Sequence, residues 1–237
     1  YADARRPGDR VVRISIRGGH VIDPANKVDD ALDLHIADGR VVALGAAPDG
    51  FQTDREIDAE GLVVCPGFVD LCARLREPGD EHKGTIESET RAAVTGGITT
   101  VCVPPDTDPV IDDPSVVELI RRRQRLAGQA KVVMLGALTR QLSGEFLSEM
   151  GALMEAGCVG VSNAWVPIAN PLIMRRALEY AATFDLTVFS VPHDPLLAPG
   201  GCAHEGDTAT RLGLPGIPRS AETTIVARDL ALIEETG

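Results

Sequence analysis

The feature that most limits the fold is a change of rhythm at residue 62. From there, apolar Val/Ile-rich runs alternate with amphipathic stretches. The strand candidates are "LVVCPGFVDL" (62–71), "GITTVCVP" (97–104), "KVVMLGAL" (131–138), "CVGVSN" (158–163) and "LTVFSV" (186–191). Between and after them lie helix candidates at 84–95, 115–127, 145–156, 171–183 and 220–236. A strand covered on both faces has no reason to alternate polar with apolar, so continuous apolar runs separated by helices predict a parallel sheet flanked by helices. The helix at 115 follows "DDPS", a start signal, and "MEAGC" and "EETG" close helices with glycine. The pattern gives five βα units. They fit either an open doubly wound sheet or an incomplete (β/α)8 TIM-like barrel. No GxGxxG or Walker A pattern stands at a strand-to-helix turn, which weighs against the nucleotide-binding sheet.

Residues 11–62 read differently. "VVRISIRGGHVIDP" and "ALDLHIADGRVVALG" are short alternating strands broken by Gly and Asp, and Asp38-Gly39 is the tight pair of a hairpin. This predicts a small antiparallel β domain at 11–62, followed by the barrel units at 63–237. Residues 1–10, "YADARRPGDR", read as a flexible polar lead-in. No initiator Met is present, so a processed or partly covered chain is expected. Five of eight units would leave two open sheet edges; a longer natural polypeptide, with about three more units by the eight-unit plan of the barrel, is the simplest remedy.

Composition narrows the function classes. Aromatic residues are only 3%, so Val, Ile, Leu and Ala must build the core. A net charge of −12 repels phosphate backbones and argues against nucleic acid as a partner. The five cysteines form no CxxC pair, which suits a reducing, cytoplasmic setting rather than a disulfide framework. No apolar run is long enough to span a membrane, and no signal peptide opens the chain.

In a barrel, chemistry sits at the C-terminal ends of the strands. The first end offers Asp70, Cys72, Arg74 and Arg76, which share one side as long as the chain stays extended. Charges are rarely buried unpaired, so a binding site, present or former, explains them better than core does. The second end, "PPDTDPVIDDP", carries Asp106, Asp108, Asp112 and Asp113 without the spacing of a calcium loop. The fourth carries Trp165, the only tryptophan, read as a packing anchor. The fifth carries His193 and His204, read as solvated loop residues before ligands. No nucleophile–base set can be read from the spacing.

The stretch "GLVVCPGFVDLCARLREPGDEHKGTIESETRAAVTGGITTVCVPPDTDPVID" resembles the start of the dihydroorotase barrel, in the amidohydrolase superfamily. The likeness extends through "GALTRQLSGEFLSEMGALMEAGCVGVSN" and "GLPGIPRSAETTIVARDLALIEETG". The segment "GGHVIDPANKVDDALDLHIADGRVVALG" is similar to the family's N-terminal β-sandwich partner. The resemblance covers about residues 11–237 and implies an amidohydrolase barrel. Active members use zinc to close and hydrolyse the dihydroorotate ring. By the resemblance, Arg76 falls on a substrate-binding Arg and Asp106 on a substrate-contacting Asn. The two strand-one His ligands fall at Cys72 and Arg74, the bridging strand-four ligand at Asn163 and the strand-five His near Val191.

Every visible ligand position has therefore changed. Cys72 could bind zinc as a thiolate, but Asn163 is neutral and Val191 has no donor. A guanidinium offers no lone pair, and like charges ~4 Å apart repel by ~4 kcal/mol at an effective dielectric of ~20, about double for a divalent ion. The expectation is that Arg74 takes the metal's place, balanced by Asp70 or Asp106, with no resident cofactor. The resemblance is strongest to non-catalytic dihydroorotase-like subunits that assemble with aspartate carbamoyltransferase. It implies a structural role in a hetero-oligomer, with self-association as a further state. One alternative is a live zinc-dependent dihydroorotase or cyclic-amide hydrolase using displaced ligands such as Cys72, His193 and an Asp. Another is a protein that uses Arg76 to hold an anion without chemistry.

Overall fold

The computed structural model describes residues 12–236. They divide into two compact units between Gly67 and Phe68. The expected lead-in, residues 1–10, lies outside the described residues, as does Gly237, the expected closing glycine of the last helix.

The first unit holds seven short strands: β1 (Ile14–Arg17), β2 (His20–Asp23), β3 (Val28–Ala31), β4 (Leu34–Ala37), β5 (Arg40–Leu44), β6 (Arg55–Asp58) and β7 (Val63–Val64). They form a four-stranded sheet, β5-β4-β1-β6, and a three-stranded sheet, β3-β2-β7. The hairpin between β4 and β5 turns through Asp38 and Gly39, both at positive φ (55° and 67°), as their sequence requires. The unit is not purely antiparallel as expected. β6 pairs parallel with β1, and β7 parallel with β2. Those partners return from more than 30 residues away, beyond the reach of hairpin signals. At the heart of the unit His35 is buried, with Nδ1 2.9 Å from Ser15 Oγ and Nε2 3.1 Å from the Gly45 carbonyl.

The second unit begins with β8 (Phe68–Asp70). It continues through α1 (Ile86–Thr95), β9 (Ile98–Val103), α2 (Pro114–Ala127), β10 (Lys131–Ala137), α3 (Met150–Ala156), β11 (Gly160–Ser162), α4 (Pro171–Thr183) and β12 (Thr187–Phe189). A small excursion, β13 (Ala203–His204), α5 (Asp207–Leu212) and β14 (Gly216–Ile217), precedes α6 (Ser220–Thr236). The main sheet runs β12-β11-β10-β9-β8 with every pair parallel, the first five strands of an incomplete barrel. The run 62–71 is not one strand. Its first part, β7, pairs in the first unit, and Cys65-Pro66-Gly67 ends it, since proline cannot donate to a ladder.

Local chemistry sets the helix starts. Thr85 and Ser88 form a reciprocal capping box on α1; Asp113 caps α2 and Asn170 caps α4, each followed by proline at the first helical position. α3 begins at Met150, not 145, because Leu147 bridges to Thr139 and the Ser148 amide bonds the Leu138 carbonyl. It ends at Gly157 with φ 111°. The core lies between sheet and helices. Val101, Val103, Val132 and Met134 meet Ile86, Val116, Val117, Ile120 and Leu153; Val161 meets Met174, Ala177, Leu178 and Ala181. Among the described residues no helix is long and apolar enough to cross a membrane.

Candidate functional site

The ends of β8 and β9 bring Arg74 and Asp106 together. Arg74 Nε and Nη2 each lie 2.8 Å from Asp106 Oδ2, with the side chains 23% and 26% exposed. Cys72 Sγ sits 3.8 Å from Arg74 Nη1. The face of the guanidinium lies against Trp165, its Cζ 5.3 Å from the ring centroid. Asp106 therefore supplies the counter-charge. Asp70, the other candidate, accepts the Cys72 amide at 2.9 Å and bends the chain there. Trp165 is not the packing anchor its rarity implied: it is 63% exposed and spends its ring on a cation, not on the core.

The chain does not stay extended through Arg76. β8 stops at Asp70, and Arg76 adopts φ 66°, so strict alternation fails before the fourth residue of the set. Arg76 still opens onto the same cavity as Arg74 and Asp106, of about 200 Å³, with Asp80, Thr107 and Asp108 on its wall. The loop carrying it is fixed from both sides. Glu77 accepts the Ile86 amide at the start of α1 and pairs with Arg123 of α2, while Pro78 O accepts the Asp108 amide at 3.2 Å. Glu77 stands inside the quoted "LREPG", but nothing in its spacing reveals that it ties two helices.

Asn163, after β11, is 5% exposed and fully engaged. Its Oδ1 accepts from Thr139 Oγ1 at 2.6 Å, and its Nδ2 donates to the carbonyls of Val166 (2.9 Å) and Leu142 (3.3 Å). Two carbonyls facing one atom demand a donor there, which an ionised carboxylate cannot be. Val191 is half-buried and lines a small gap with Asn163, Ile168 and Ser190. Beside it, Ser190 Oγ reaches the buried Asp229 at 3.1 Å, which Arg228 grips with Nε (2.9 Å) and Nη2 (2.7 Å). That network was not apparent from sequence, since Asp229, in α6, lies 39 residues from Ser190.

The remaining candidates have local duties. Asp112 Oδ2 accepts the Gln141 amide and side chain, and Asp113 caps α2, where hydrogen bonds from Ser115 hold its carboxyl below the usual range. His193 lines a separate cavity with Arg228, and His204 lies exposed in β13. Burial pushes the thiols of Cys102 and Cys158 up to about 11 and about 12. Among the described residues no three His, Cys, Asp or Glu side chains form a group able to hold a metal ion. The positions where a zinc centre would be expected do not fit one: Arg74 is bound to Asp106, Asn163 presents donors to carbonyls, and Val191 has no donor atom.

Comparison with known proteins places this geometry in a family. Residues 61–237 match the family model described as dihydro-orotase-like. A dihydroorotase-like protein of Pseudomonas aeruginosa is 57% identical over 224 residues, covering 94% of this chain and 53% of that protein. A dihydroorotase of Anaeromyxobacter sp. (strain K) is 46% identical over 222 residues, covering 94% and 51%. The chain thus spans about half the length of the curated relatives it matches. Among solved structures, the L-hydantoinase (dihydropyrimidinase) of Arthrobacter aurescens superposes with a TM-score of 0.78 over 94% of this chain and 51% of its own, at 18% identity, a likeness of fold. With the five-stranded parallel arc, the family match and this degree of identity in hand, the chain belongs to the dihydroorotase-like family of the amidohydrolase superfamily.

Proposed function

We propose that this chain belongs to a catalytically inactive dihydroorotase homologue that serves as a structural subunit of a cytoplasmic aspartate carbamoyltransferase complex in pyrimidine biosynthesis. The observation that carries the reading is the Arg74–Asp106 ion pair at the strand end where active members of the family hold their metal. A fixed positive charge repels a divalent ion, and the amide of Asn163, turned to two carbonyls, offers such an ion no carboxylate. A scaffold keeps the barrel and its loops while the constraint on the ligands is released. The Pseudomonas aeruginosa relative carries the name dihydroorotase-like protein, which agrees with a fold retained apart from its chemistry.

The test uses the purified full-length protein, supplied with zinc. No turnover of dihydroorotate or carbamoyl aspartate is expected, and no zinc at stoichiometric occupancy. Mixed with aspartate carbamoyltransferase from the same source, it should co-elute at a mass above either alone. Turnover, stoichiometric zinc, or failure to co-elute would each overturn the corresponding half of the reading.

A further inference from the structure

We propose that Arg74 acts as a structural staple of the mouth, joining the loops after β8, β9 and β11. Arg74 itself leaves the first of these, Asp106 lies on the second and Trp165 on the third. The guanidinium serves both partners at once because they use different parts of it. Its edge donates through Nε and Nη2 to one oxygen of Asp106, and its flat face lies against the indole.

The third loop is built to present that ring. Asn163 Nδ2 holds the Val166 carbonyl at 2.9 Å on one side of it, and Arg228 Nη1, from α6, holds the Ile168 carbonyl at 2.8 Å further along. Asn170 then caps α4 through the Leu172 amide. Trp165 therefore sits on a segment of eight residues, 163 to 170, whose two ends and middle are tied, although the ring itself is exposed. A side chain exposed on such a segment would gain most entropy by leaving the surface free; its position over Arg74 gives the ring a partner in place of that freedom. An ordinary exposed ion pair is worth little. This one is mostly shielded, shares one carboxylate oxygen between two N–H groups and has an aromatic roof, so its removal reaches three loops rather than one.

The structural duty of Arg74 rests on the non-catalytic reading of the mouth, but the two fail separately. Turnover of dihydroorotate would remove that reading; the staple is tested by coupling between its members. In the full-length protein, Arg74→Met, Asp106→Asn and the double variant are unfolded in urea, with Trp165 emission isolated by difference against Trp165→Phe. Each single substitution should lower the midpoint, and the double should fall no further than Arg74→Met alone. Emission of Trp165 should shift to the red and its acrylamide quenching should rise in Arg74→Met, while Arg74→Lys, which keeps charge but not the planar fork, should recover only part of both. Additive midpoints, or an unchanged Trp165 signal in Arg74→Met, would overturn the staple. If Arg74→Met does not fold, Asp106→Asn decides: increased quenching of Trp165 supports the coupling and unchanged quenching removes it.

Discussion

The backbone N–H of Ile86 donates to Oε2 of Glu77 across 2.6 Å, so a carboxylate in the loop after β8 closes the first turn of α1. The other oxygen of Glu77 takes Arg123 of α2. One side chain, mostly buried, thus fixes the loop that carries Arg76 against two helices. It also satisfies a helix N-terminus with negative charge, which the helix dipole favours. Replacing Glu77 by Gln keeps its shape and removes the charge. The expected loss is about 1–3 kcal/mol, since a charge-assisted bond is exchanged for neutral ones and Arg123 retains only Glu81. Urea denaturation of the variant checks this; a midpoint equal to that of the parent would show the strut to be idle.

Asn163→Asp should be much more harmful than its size implies. The new carboxylate would lose both donations to the Leu142 and Val166 carbonyls and face them with like partial charge in a buried site. A loss of about 3 kcal/mol near neutral pH is expected, in the range for an uncompensated buried charge. The sign with pH follows. Burial and the carbonyls raise the folded pKa of that Asp above its unfolded value, so the protonated form is the one the fold tolerates. Relative to the parent, the variant should recover as pH falls towards 4 and weaken as pH rises through the raised pKa. Parallel denaturation series at acid and neutral pH measure it, and a deficit independent of pH would contradict the account.

The two buried thiols predict an alkaline limit. Cys102 and Cys158 titrate in the fold at about 11 and about 12, above the unfolded value near 9, because burial disfavours their thiolates. A raised folded pKa means stability that is whole below pH 9 and is lost from there as pH climbs through 11 and 12, at about 1.4 kcal/mol per pH unit for each thiol. Cys102→Ser should soften this loss. In the native protein at pH 8, a thiol reagent should find the exposed Cys65, Cys72 and Cys202 first, and the two buried cysteines only on unfolding. Fast labelling of Cys158 in the native state would argue against this.

Gly79→Ala should disturb the mouth without touching a charge. Gly79 has φ 111°, and an added Cβ would stand 2.5 Å from Asp108 Cβ and 2.9 Å from its carbonyl oxygen. Part of the obstacle is backbone, so the loop must move. A cost of about 1–3 kcal/mol is expected from the strained backbone and the displaced Asp108 loop. Thermal melting gives the loss, and an unshifted melting temperature would show that the two loops are not packed as described.

Much of the frame was legible because it rests on local chemistry. The "DDPS" start signal marks α2 within a residue, and α4 and α6 run over the residues their patterns indicate. The parallel partners of β1 and β2 were not legible, since nothing in Arg55–Asp58 or Val63–Val64 names the strand it will join. At the site, a carboxylate partner for Arg74 could be anticipated, because strand ends of a barrel converge and an inward charge needs a partner, but the choice of Asp106 over Asp70 could not. The engagement of Asn163 could not. Its partners at 142 and 166 are backbone carbonyls, and any residue supplies one. Trp165 misled for a related reason: rarity and size speak for burial, but a ring beside a guanidinium can stay at the surface.

The amide at position 163 makes its loop selective for one kind of side chain. While its nitrogen bridges the carbonyls of Leu142 and Val166, any replacement must bring a donor to that same point. Its oxygen meanwhile takes the Thr139 hydroxyl, so the replacement must accept as well. An ionised acid can only accept and an aliphatic group can do neither, so the loop admits a primary amide and turns away its isosteres.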